Sequence, residues 1–91
     1  MIDQKEIVEA YLKKHFADAQ ISSAEVPAEK GWGYKLSSAE GLYNLLVLDE
    51  AFTSLNAEQA TMQLENFQVA DVMRSMEGFT VTVTDSGCIF Q

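Results

Sequence analysis

Ile7, Val8, Tyr11, Leu12, Phe16 and Ala19 recur at three- and four-residue spacing, with His15 on the same stripe, while Lys5, Glu9, Lys13 and Lys14 fall largely elsewhere. This pattern predicts an amphipathic helix from residue 4 to about 18. Asp3 stands where an N-cap belongs, Glu6 completes a capping box, and Ile2 is placed to staple against Ile7. From Gln20 to Lys30 the periodicity dissolves into serines, charges and Pro27, which reads as a loop. Trp32, Tyr34 and Leu36 then alternate with Gly33 and Lys35, the two-residue period of a strand with one buried face.

After a Ser-Ser-Ala-Glu-Gly turn, Leu42 to Leu48 is an apolar run broken only by Asn44. It is read as a central strand paired in a hairpin with the preceding one. A helix is the rival reading, because Ser37 and Glu40 also fit a capping box. Asn56 with Gln59 opens the next helical signal, but the stripe changes sides: Ala60, Leu64 and Phe67 lie along one face, and Val69, Val72, Met73 and Met76 roughly opposite. One straight helix cannot bury both sets against one sheet, so a break near Asn66 to Gln68 is expected, with helices over 56–65 and 69–77. The rival here is a strand over 61–68. Phe79, Val81 and Val83 alternate with three threonines, and Asp85-Ser86-Gly87 turns the chain into Cys88-Ile89-Phe90, a second hairpin. The expected fold is an α+β two-layer sandwich in a single acidic domain over 1–91. It has an antiparallel sheet of about four strands with helices on one face, in the order helix, hairpin, broken helix, hairpin.

Charge changes what such a domain is expected to meet. Fourteen acids against six Lys and Arg give the 91-residue chain a net charge of −8. Five of the six bases precede residue 37, and from Ser37 onward Arg74 alone stands against eight acids. Phosphate backbones are repelled by such a stretch, so nucleic acid is not an expected partner. A basic protein is, with Asp49, Glu50, Glu58, Glu65 and Asp71 as the candidate partner-binding acids. Neither a basic, apolar leader nor an 18-residue apolar stretch occurs, and the single cysteine, Cys88, forms no intrachain disulfide. The expectation is a cytoplasmic protein with no membrane partner.

Candidate chemistry is sparse. One His and one Cys do not make a zinc site, Asp49-Glu50 lacks the spacing of a calcium loop, and Gly31-Trp32-Gly33 has Leu36 where a phosphate-binding loop would carry its third glycine. No metal or cofactor is expected, and Cys88 with His15 is the one nucleophile–base pair that the composition allows. Trp32 and Tyr34 are candidate ligand or partner anchors, and Cys88, Ile89 and Phe90 form a C-terminal strand that could serve as a dimer edge. The leading expectation is a non-catalytic protein-interaction domain that meets a protein partner through an acidic face or self-associates as a homodimer. The alternatives are a small-ligand module around Trp32 and, third, an enzyme without a recognisable motif.

Overall fold

A computed structural model describes residues 4–39, 41–52 and 55–90. In chain order they form α1 (Gln4–His15), β1 (Gln20–Val26), a 3-10 turn (Pro27–Glu29), β2 (Gly31–Ser38) and β3 (Gly41–Leu48). A second 3-10 turn (Asp49–Phe52), α2 (Ala57–Asn66), α3 (Val69–Ser75), β4 (Thr80–Thr84) and β5 (Gly87–Phe90) follow. The fold is α+β, and among the described residues no helix is long and apolar enough to cross a membrane.

α1 starts where the stripe predicts it but ends at His15 rather than near residue 18; it buries Val8, Tyr11 and Leu12, with Phe16 completing the same face just beyond its end. The expected cap at Asp3, the staple from Ile2 and the Glu40 of the rival capping box lie outside the described residues. α2 opens on a complete capping box: the Asn56 side chain accepts from the Gln59 amide at 2.8 Å, and the Asn56 amide donates to the Gln59 side chain at 3.0 Å. The expected break is present. Gln68 takes a left-handed backbone, φ 53 and ψ 44, between α2 and α3. That single residue re-aims the chain, so that Ala60 and Leu64 on one side of it and Val69, Ala70 and Met73 on the other reach the same core. The reading of 61–68 as a strand is excluded by α2.

The sheet corrects the sequence reading in two respects. It has five strands rather than about four, in the order β1-β2-β3-β4-β5, and it is mixed rather than antiparallel, because β3 and β4 pair in parallel. The extra strand is β1, which occupies residues read as loop. Its sequence, Gln-Ile-Ser-Ser-Ala-Glu-Val, has weak alternation because β1 lies at the edge of the sheet and most of its side chains are exposed. Its backbone is nevertheless paired along its whole length with β2, from Gln20 opposite Ser37 to Val26 opposite Gly31. The parallel pair follows from connectivity: the chain leaves the end of β3, crosses through α2 and α3, and re-enters beside β3 in the same direction. The two expected hairpins are both found, as β2-β3 and β4-β5.

Burial is one-sided. Tyr34, Leu36, Tyr43, Leu45, Val47, Val81 and Val83 are buried and share one face of the sheet, where they meet the helices. Two side-chain hydrogen bonds tie α1 to α3. The Tyr11 hydroxyl of α1 accepts from the Ala70 amide at the start of α3, at 3.0 Å and fully inside the protein. At the far end of α1, the Arg74 guanidinium of α3 donates to the carbonyl of His15 and lies over the Phe16 ring, 4.5 Å from its centroid. The first supplies the partner that Gln68 lacks as an N-cap, since its side chain makes no capping bond; the second supplies a donor for a helix-end carbonyl.

Candidate functional site

Among the described residues no helix covers the other face of the sheet, and its composition follows from the register. One row runs across all five strands: Ala24, Gly33, Leu46, Thr82 and Ile89. On one side of it lies a polar row, Ser22, Lys35, Asn44 and Thr80, and on the other Val26, Gly31 and Leu48. Leu42 closes one end opposite Ser37 and Gln20. No position of this face is Asp or Glu, in a chain with fourteen of them. Leu42 is 64% and Ile89 52% exposed, while Leu46, Leu48 and Val26 are half-buried by their neighbours alone.

Relief on this face is set by glycine. Gly33 leaves the floor of a trough bare between the side chains of β1 and those of β3, and a Cβ there would stand 3.3 Å from Val26 Cγ2. Gly31, one step along, allows β2 to approach β3 so closely that a Cβ would sit 2.4 Å from the Val47 carbonyl oxygen. The trough encloses about 360 Å³ among Ser22, Ala24, Val26, Gly33, Lys35, Asn44, Leu46 and Thr80. A second recess of about 470 Å³, lined by Gln20, Ser37 and Leu42, joins it through the shared residues Ser22, Lys35 and Asn44. Lys35 is the one charged position of the face and makes no ion pair among the described residues. An open, largely apolar surface with one ammonium and a few amide and hydroxyl groups suits contact with another macromolecule or an amphipathic anion.

Of the candidate residues read from the sequence, Ile89 lies on this face and the others lie elsewhere. Trp32 and Tyr34 stand on the helix-covered face of β2: Tyr34 is 1% exposed, and Trp32 is half-buried and packs against the core. The five acids are distributed over three helical elements. Asp49 and Glu50 adjoin one another in the 3-10 turn after β3, Glu58 is in the first turn of α2, and Asp71 is in α3, 3.7 Å from Arg74. Glu65, near the end of α2, receives His15 Nε2 at 2.8 Å and Lys14 Nζ at 3.7 Å, and the hydrogen bond from His15 is the main reason its carboxyl titrates below the ordinary range. β5 is an edge strand, with Cys88 half-buried beside the core, Ile89 out on the open face and Phe90 paired with Val81. Burial pushes the Cys88 thiol up, away from the thiolate that nucleophilic chemistry requires. Among the described residues, no three His, Cys, Asp or Glu gather where they could hold a metal ion.

The open-face site has a signal in the sequence. Alternation within Leu42–Leu48 gives two apolar sets: Tyr43, Leu45 and Val47 fill the core, which leaves Leu42, Leu46 and Leu48 for the opposite face. A strand that is apolar on both faces in a sheet with helices on only one of them presents a contact surface. No family model, no curated protein and no solved structure matches this chain.

Proposed function

We propose that this chain is a non-catalytic protein-interaction domain. The observation that supports the reading is the segregation of its surface: an acid-free, apolar sheet face on one side, with the acids of a −8 chain distributed over the rest. Such a molecule offers two kinds of contact, one driven by burial of apolar surface and one by charge. The charged contact suits a basic protein partner, with Asp49 and Glu50 as its densest unpaired acidic point among the described residues.

The test is a pull-down from native lysate at low and high salt, using the wild type, the double variant Asp49→Lys/Glu50→Lys and Leu46→Glu. A partner that is retained by the wild type, released by salt and lost in the double variant is the expected result. Equal retention of every bound protein by all three forms would refute the reading. A small-ligand module is the second reading, favoured by the 360 Å³ trough that Lys35 lines. Its ligand would be a short amphipathic carboxylate, and a thermal shift with octanoate that Lys35→Ala abolishes would support it.

A further inference from the structure

Resting on the reading of the open face as an interaction surface, we propose that its occupant is a second copy of this chain. The two sheets would pack face to face about a two-fold axis that runs along β3. Charge is the first argument. As wholes, copies of a −8 chain repel one another, whereas the open face has, among the described residues, no acid and a single Lys35. Two copies approach through it without acid–acid opposition.

Shape is the second. A two-fold axis lying in the interface along the central strand sets β2 of one copy over β4 of the other, and β1 over β5. The face is asymmetric in the sense this operation needs: the β2 side is hollowed at Gly33, and the β4–β5 side is raised by Thr82 and the 52%-exposed Ile89. The hollow of each copy thus receives the ridge of its partner twice over, and Leu46 meets its own symmetry mate near the axis. Lys35 lies over the Thr80 side rather than over the partner's Lys35, so the one charge of the face is not opposed by itself.

Area is the third. Five strands at about 4.8 Å spacing and about 3.3 Å per residue give a flat projection of roughly 500 Å², which side-chain relief increases. Stable interfaces take about 600–1,000 Å² from each partner, so the open face reaches the lower end of that range only when used whole. Aligned sheets about 10 Å apart accommodate such a pair.

Sedimentation equilibrium across a concentration series tests the proposal on the wild type, Leu46→Glu, Thr82→Arg and Glu58→Lys, each first checked for the wild-type far-UV spectrum. The expected result is a monomer–dimer equilibrium, weakened at least about 100-fold by Leu46→Glu, which brings two carboxylates together in an apolar contact. Thr82→Arg weakens it too, whereas Glu58→Lys, on α2, leaves it intact. A wild type that is monomeric throughout would overturn the proposal, and so would a dimer indifferent to Leu46→Glu, which would assign association to another surface, such as the β1 or β5 edge. Salt-sensitive partner capture that persists in a monomeric wild type would leave the interaction-domain reading standing and remove only self-pairing.

Discussion

Removing one oxygen atom from Tyr11 should measure how firmly α1 holds the start of α3. Tyr11→Phe keeps the ring, its packing in the core and its 4.5 Å contact with the His15 ring, and deletes only the hydroxyl that accepts from the Ala70 amide. Tyr11 is 4% and Ala70 2% exposed, so water cannot replace the lost acceptor without opening the core. Gln68 provides no side-chain alternative. A buried donor left without a partner costs about 1–3 kcal/mol. Relief from burying the hydroxyl itself brings the net loss to roughly 1–2 kcal/mol, a fall in Tm on the order of 5–15 °C for a domain of this size. Urea unfolding should show the midpoint lowered at unchanged slope, and amide exchange at Ala70 should accelerate. The pH dependence adds an independent check. Burial raises the Tyr11 pKa above the ordinary value of 10.0, so the folded state favours the neutral phenol. Tyr11 therefore stabilises the fold fully below pH 10, and this contribution is lost as pH rises from 10 through the folded pKa. The gap between wild type and Tyr11→Phe should close over that alkaline range. A stability change under about 0.5 kcal/mol with unaltered exchange at Ala70 would refute the account of Tyr11 as the cap of α3.

Two further outcomes follow from local features. Gln68 holds φ 53 without a side-chain cap, so Gln68→Gly should stabilise the domain by about 0.5–1 kcal/mol, read as a higher urea midpoint. Glu65 has its carboxyl pKa depressed chiefly by the hydrogen bond from His15, so its stabilising effect is present above the unfolded carboxylate value and is lost as pH falls through the folded one. In His15→Ala, the Glu65 titration followed by NMR should move back up toward 4.5; an unmoved titration would assign the depression to Lys14.

Much of the helical layer was legible in residue order because its determinants are local. The stripe of α1, the Asn56–Gln59 capping box and the change of face at Asn66–Gln68 are all relations among residues a few positions apart, and each element formed accordingly. The two hairpins are legible for the same reason: short turns join strands whose alternation is strong. The open face is less legible. Trp32 and Tyr34 are attractive as anchors in a sequence, but their period-two spacing with Leu36 aims them at the helices, and Tyr34 ends in the core.

Residue order is enough for the α+β class, the break between α2 and α3, and the strong net negative charge. Tertiary structure alone decided three things. β1 is a strand because β2 satisfies its backbone, whatever its own weak alternation; an edge strand with little to bury leaves little trace in hydrophobicity. β3 and β4 are parallel because α2 and α3 carry the chain across the sheet, and periodicity has no sign that records direction. The acid-free face exists because register aligns Ala24, Gly33, Leu46, Thr82 and Ile89, residues up to 65 positions apart, into one row. Local spacing says which residues share a side of one strand; only pairing across five strands says what that side becomes.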